Sequence, residues 1–380
     1  VLSSAEARVR AKDKPWSFLH ISKPEIDLDP AVDIYDPIVY AKAAENLARM
    51  VKAGVLQRDA RPCYYVYRLT WRDRQQTGLA AVACVEDYNS NRIRKHELTT
   101  IKKEDDRVRQ IKAVNAQTGP VMIAYPAAPA VDALLNAATA RKPDVDVTAD
   151  DGVRHEMWVV KDAATIERIT AEIDALPAVY IADGHHRSAA AARIADERGG
   201  EGSHDYFLAV LFPHHQMTIL DYNRVIRDLN GRKSEELIAE LARDFTVTAS
   251  PEPVRPAASG EFGMYLPGQW YRLSIREDLI PANDPIGRLP ITLLTLHVIE
   301  PIFGITNQRN DKRIDFIGGA RGLGEIERRV NSGEMAVGFA LHPTQMDDLM
   351  AVADSNQIMP PKSTWFEPKL ADGIVNHVLD

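Results

Sequence analysis

The chain has 380 residues, 45% of them hydrophobic and 26% charged, with a formal net charge of −8. This composition excludes a mainly disordered chain, and no apolar run reaches the roughly 20 residues of a membrane span. The acidic balance argues against nucleic acid as the main partner, because backbone binding needs a basic surplus. A soluble cytoplasmic protein of two or three α/β-type domains is expected at this length, and an oligomer is compatible with it.

The opening VLSSAEARVRAKD reads as a helix start and lacks the apolar core of a secretory signal. In DPIVYAKAAENLARMVKAG, Val39, Ala43, Leu47, Met50 and Val51 recur at helical spacing, and Gly54 marks the stop. CYYVYRLTW and QTGLAAVACVEDY, separated by RDRQ, predict a hairpin. Cys63 and Cys84 fall in these stretches and are expected as buried reduced thiols, without a disulfide framework or a structural zinc site.

The charge-dense run from Asn91 to Pro120 thins its apolar positions to one stripe, Ile101, Val108, Ile111 and Val114, which predicts a helix with a wide polar face. Ion pairs such as Asp105 to Arg109 would support it. Asn115 and Thr118-Gly119-Pro120 read as turn chemistry at the exit of that helix. GPVMIAYPA then predicts a buried strand, PAVDALLNAATARK a helix, DVDVTADDGVRHEMWVV a hairpin turning at Asp151-Gly152, and DAATIERITAEIDAL another helix.

HDYFLAVLF, KSEELIAELARDF and FTVTAS continue the alternation of strand and helix, so the class is α+β, or mixed α/β. PEPVRPAASGEF has a linker's composition, which suggests three regions: 1–120, 121–249 and 250–380. The last would hold the hairpin GMYLPGQWYRLSI, a helix around TLLTLHVIEPIF, the strand RIDFIGG, and further strand and helix through TQMDDLMAVADS. Gly318-Gly319-Ala320-Arg321-Gly322-Leu323-Gly324 follows RIDFI but matches no established phosphate-loop spacing. Lys362, Thr364 and Lys369 lie between prolines in MPPKSTWFEPKL, which reads as an ordered loop, with lining of a site as the alternative.

Two constellations carry chemistry. In AVYIADGHHRSAAAARIADERGG an apolar strand meets the turn Asp183-Gly184, and an alanine-rich helix runs on to Gly199-Gly200. His185, His186 and Arg187 therefore fall in the first helical turn, where the macrodipole disfavours each exposed cation by roughly 0.3–1 kcal/mol. An anion reverses the sign, and backbone N–H groups, an arginine fork and imidazoles at a strand's carboxyl end form a phosphate cradle. Asp183 could hold a histidine tautomer or reach a metal-bound ligand.

A metal site using His185 or His186 is the second reading, although adjacent histidines at a helix start point in different directions. A purely structural turn is the third. The other constellation is Lys95-His96-Glu97-Leu98-Thr99, placed between a turn-like Asn-Ser-Asn and a Thr-Thr helix start. A carboxylate at Glu97 could serve there as general base or magnesium ligand.

Together IADGHHRSAAAARIA, RKHELTTIKKEDDR, NAQTGP, DKRIDFIGG, SGEMAVGFALHPT and MPPKSTWFEPKL resemble the prokaryotic family catalogued as domain of unknown function 1015, along essentially the whole chain. More distantly, Asp-Gly-His-His-Arg resembles the signature of archaeal ADP-dependent free-serine kinases of the ParB/sulfiredoxin superfamily. That resemblance implies a ParB/sulfiredoxin-like nucleotide-binding core with additional N- and C-terminal α/β segments. It also implies a phosphate turn made by Asp183, Gly184, His185, His186 and Arg187, with Glu97 as base. His96 and Thr99 would join the nucleotide-binding set, and His186 and Asp183 the catalytic one. The expected activity is phosphoryl transfer from ADP or ATP, with Mg²⁺, to a small hydroxylated metabolite such as free serine. A nucleotide-binding switch with little turnover and a metal-dependent hydrolase are the rivals.

Overall fold

The computed structural model describes residues 2–380. The chain packs as two compact units, one comprising residues up to Met217 together with Pro368–Asp380, the other Thr218–Glu367. Both mix helix and sheet, as the composition and patterning predict.

The first unit is built on an eight-stranded mixed sheet. Its strands run in the order Ile93–Arg94, Val179–Asp183, Val121–Tyr125, Tyr206–Pro213, Arg74–Cys84, Tyr64–Trp71, Arg154–Val160 and Val145–Thr148. The expected regions 1–120 and 121–249 thus contribute strands to one sheet: Val121–Tyr125 lies parallel to Tyr206–Pro213, which pairs antiparallel with Arg74–Cys84. The hairpin at RDRQ is tighter than its polarity suggests. Trp71 already faces Arg74, and Arg72 takes φ 56°, the left-handed turn conformation, so two residues suffice. The turn at Asp151-Gly152 forms as expected, with Gly152 at φ 81°.

Helix Pro37–Lys52 starts from an Asp36 cap with proline in its first turn, and it buries Val39, Ala43 and Met50. Val51 is exposed, one position outside the buried stripe. In helix Ile101–Val114 the stripe narrows to Val108, Ile111 and Val114, while Ile101 stays 76% exposed at the helix start. Asp105 pairs with Arg193 at 2.9 Å rather than with its own helix at Arg109, because helix His185–Arg198 lies alongside. Val108, Ile111, Ala190, Ile194 and Leu379 form the seam between these two helices. The small alanine side chains bring the helices close, and each large apolar group buried there contributes about 1.5–3 kcal/mol.

Residues 368–380 are stitched into this unit by several bonds. His377–Val378 pairs with Ala116–Gln117, and the Leu379 and Gly373 N–H groups donate to the Asn115 and Thr118 carbonyls. Asn115 caps its helix at φ 49° and accepts from Arg198 at 2.6 Å, so turn chemistry is only part of its work. Cys63 and Cys84 are free thiols, half-buried rather than buried.

The second unit is an antiparallel sheet of six strands: Phe245–Ser250, Gln269–Ile275, Glu261–Leu266, Val337–Leu341, Tyr222–Ile226 and Ile314–Gly318. A boundary at 249/250 would cut its first strand. The proline-rich stretch after Ser250 is no linker, because Val254 is buried in the core of this unit. Gly318 and Gly319 are packing positions against Trp365 and Asp221, not a phosphate loop. The helix around TLLTLHVIEPIF carries a π-turn at Thr295–Ile299, just ahead of Pro301, whose ring and missing N–H interrupt regular helical bonding.

Candidate functional site

Strand Ile93–Arg94 runs parallel to Val179–Asp183, with Ile93 opposite Val179 and Arg94 opposite Tyr180. Parallel neighbours leave the sheet on the same carboxyl edge. His96-Glu97 and His185-His186-Arg187 are therefore brought together there, although they stand far apart in sequence.

Gly184 makes the sharp exit from the strand, with φ 108° and ψ 23°. Its carbonyl accepts from the Arg187 and Ser188 N–H groups at 2.8 and 3.1 Å, which closes the first turn of the helix. A Cβ at Gly184 would lie 2.9 Å from Arg187 Nε and 3.0 Å from Nη2. The guanidinium is folded back over the turn and donates to Asp183 Oδ2 at 2.8 Å. Lys369 Nζ approaches Asp183 Oδ1 at 3.4 Å from the returning tail. Burial works to raise the Asp183 carboxyl, but Lys369, Arg187 and His185 outweigh it and bring it down to about 2. Two cations thus surround one carboxylate.

The two adjacent histidines separate. His185 is 4% exposed and stands edge-to-face with His96, ring centres 4.5 Å apart. His185 Nε2 accepts from the His96 N–H at 3.4 Å. His186 is half-buried, and its Nε2 accepts from the Thr100 N–H at 3.2 Å. Burial, reinforced by the His96 ring, pushes His185 well below the usual 6.5. Burial likewise takes His96 down to about 4, with the Ile181 backbone and Asp183 pulling weakly the other way. The Ile181 carbonyl does not complete a hydrogen bond: neither His96 ring nitrogen has a partner among the described residues. Both rings are neutral near pH 7, so the positive charge of this corner belongs to Arg187 and Lys369.

Of the residues expected here, Asp183, Gly184, His186 and Arg187 line the accessible side, while His185 and His96 form a buried layer behind it. Glu97 is half-buried, and ligand atoms of His96, Glu97 and His185 all lie within 4.8 Å of one another. The Thr99 hydroxyl donates to Glu104, so its neighbour Thr100 is the one that touches the histidine motif. Lys369 belongs to this corner; Lys362 and Thr364 lie in the second unit.

Two further features near the corner had no site role in the sequence reading. Gly119 has room only for hydrogen, since a Cβ would sit 2.9 Å from Asp372 Oδ1 and 3.5 Å from Arg187 Nη1. Asp372 therefore stands beside the same guanidinium. The wide polar face of helix Ile101–Val114 borders a hollow of about 460 Å³ lined by Tyr35, Ile101, Lys102, Asp105, Asp106 and Arg109.

The model of the family described as "Protein of unknown function (DUF1015)" matches residues 1–293. The chain belongs to that family. In this DUF1015 protein the match takes in both motifs of the corner but not Lys369. No curated protein is significantly similar in sequence. Among solved structures, the DUF1015 chain is similar to a free serine kinase in complex with AMP, at 13% identity and a TM-score of 0.39, covering 77% of this chain and 91% of that one. A conserved hypothetical protein from Pyrococcus furiosus is similar at 12% identity and a TM-score of 0.36, covering 77% and 93%. SbnI with C-terminal truncation from Staphylococcus aureus is similar at 12% identity and 0.38, covering 77% and 85%. No helix of the described residues is long and apolar enough to cross a membrane.

Proposed function

We propose that the protein is a nucleotide-dependent phosphotransferase acting on a small hydroxylated metabolite, with a free amino acid such as serine as the acceptor class. The observation that carries this reading is the charge arrangement at Gly184. A helix start, the Arg187 fork and Lys369 converge on one carboxylate, which sets two cations beside backbone donors. Phosphoryl transfer draws mainly on positioning and charge neutralisation, and this corner supplies both.

In this reading His186, Arg187 and Lys369 hold the phosphates of ADP or ATP, with Mg²⁺ accompanying the nucleotide. Glu97 takes the acceptor's hydroxyl proton as the new O–P bond forms. The P–O bond to the nucleotide breaks, and the nucleotide leaves with the bridging oxygen. Asp183 keeps the Arg187 fork aimed across the turn.

The test is incubation of the full chain with ADP or ATP, Mg²⁺ and a pool of hydroxylated metabolites, read by mass spectrometry. A phosphorylated product that disappears in His186→Ala and Glu97→Gln supports the reading. A product that survives both substitutions, or none from the wild type, overturns it. Thermal stabilisation by nucleotide, about 2.7 kcal/mol at 100 times its Kd, with no product would instead identify a nucleotide-binding switch.

A further inference from the structure

His96 is hard to explain as packing. Its ring is 2% exposed, and neither Nδ1 nor Nε2 has a hydrogen-bond partner among the described residues. A neutral imidazole has one N–H and one acceptor nitrogen, and a buried polar group left unpaired costs about 1–3 kcal/mol. A phenyl or leucyl group would fill the place without that cost. The ring instead sits against His185, centres 4.5 Å apart, with the Glu97 carboxylate next to it in sequence.

We propose that His96, Glu97 and His185 form a binding site for one first-row divalent transition ion. The ligand-capable atoms of the three lie within 4.8 Å of one another. Bonds to zinc are about 2.0–2.2 Å, so donors around one tetrahedral ion stand about 3.4 Å apart. Closing the gap takes up to about 1.4 Å, shared among three side chains by rotation. The His96 N–H to His185 Nε2 contact is already long at 3.4 Å, so re-aiming His185 gives up little.

Two imidazoles and a carboxylate select zinc, manganese, iron or cobalt over magnesium and calcium, which prefer all-oxygen shells. The fold supplies the set for a topological reason. Two parallel strands end side by side; one delivers His96 and Glu97, the other His185. Three protein ligands leave at least one coordination position for water or a ligand oxygen.

This ion is distinct from the Mg²⁺ that accompanies the nucleotide, and its binding does not depend on phosphoryl transfer. The site uses no atom of His186, Arg187 or Lys369. A Glu97 that ligates through one oxygen keeps the other for the acceptor's proton.

The test uses the full chain, stripped with a chelator and titrated with Zn²⁺ by calorimetry and with Co²⁺ by visible absorption, without nucleotide. We expect about one equivalent of either ion, cobalt bands typical of nitrogen and oxygen ligands, and affinity at least about tenfold weaker in both His96→Ala and Glu97→Gln. His186→Ala should bind as the wild type does, and circular dichroism should report whether each variant is folded. Glu97 is half-buried, so Glu97→Gln keeps the test decisive if His96→Ala unfolds. A wild type without saturable uptake, or a folded Glu97→Gln with unchanged affinity and unchanged cobalt bands, overturns the site. Because nucleotide is absent, these outcomes are separate from the success or failure of the kinase assay.

Discussion

Gly184→Ala separates two costs that most glycine substitutions confound. The first is conformational: at φ 108° an L-residue lies beyond the ordinary left-handed well, and left-handed backbone costs about 1–2 kcal/mol or somewhat more. The second is contact, because the new methyl would stand 2.9–3.2 Å from Arg187 Nε, Nη2 and Cζ. The far end of an arginine can move. Moving it, however, breaks the 2.8 Å bond to Asp183, whose partners are 28% and 40% exposed, so solvent screening holds that loss to about 0.2–1 kcal/mol. The expected total is about 1–3 kcal/mol, or roughly 2–4 °C in Tm per kcal/mol for a unit of this size. Gly152→Ala is the control, with φ 81° and nothing within 4 Å of the added Cβ, so it carries the conformational cost alone. Urea unfolding of both variants, with and without nucleotide, gives the comparison. Gly184→Ala should lose more stability and also lose nucleotide stabilisation. Equal losses in the two variants with an intact nucleotide response would refute the view that the guanidinium is parked over this turn for a purpose.

Lys369→Met should change unfolding stability by less than about 1 kcal/mol, because its pair with Asp183 is long and roughly two-fifths exposed on each side. It should still weaken nucleotide binding and flatten its salt dependence; unchanged titration curves at two ionic strengths would remove Lys369 from the site. Ile181→Ala deletes a 0%-exposed side chain from the strand that delivers the histidine motif and should cost about 2–5 kcal/mol in urea unfolding. His155 is held below the usual 6.5 by burial, so the folded chain resists a proton that the unfolded chain accepts. That contribution is complete above about pH 6.5 and is lost as the pH falls from there toward the depressed value. His155→Asn should therefore show a shallower decline in stability on acidification, and identical slopes would contradict the assignment.

The sequence exposes local chemistry well and long-range pairing poorly. The strand, turn and helix at Val179–Arg198 were legible because a sharp exit needs glycine and because alanine-rich helices pack tightly. The hairpin at Asp151-Gly152 was legible for the same kind of reason. No periodicity could reveal that Val121–Tyr125 inserts between Val179–Asp183 and Tyr206–Pro213, strands that follow one another in the chain, or that residues 368–380 return to this unit. The proline-rich stretch after Ser250 misled because Val254 is buried in a core that has a place for it, although most of its neighbours are exposed. Lys369 was read as part of a loop, and only the fold sets it beside Asp183. Gly119 carried a turn signal, but its closeness to Arg187 and Asp372 could not be read from it.

The adjacent histidines have different fates because consecutive residues on a helix point about 100° apart. His185 turns under the helix start to meet His96, loses its water and stays neutral. His186 turns along the accessible side and meets Thr100. A cation at His185 would have met both the helix dipole and Arg187; burial removes it, and the remaining charge is carried by side chains that can swing toward a ligand. The same step of rotation lets one short motif face two ways, with the proposed anion site in front and the proposed imidazole ligands behind. Zinc or cobalt bound behind the turn would stiffen the strand ends that carry Gly184, and nucleotide affinity should rise when the metal is present. A nucleotide titration that is indifferent to metal in the wild type would show that the two faces of the motif act independently.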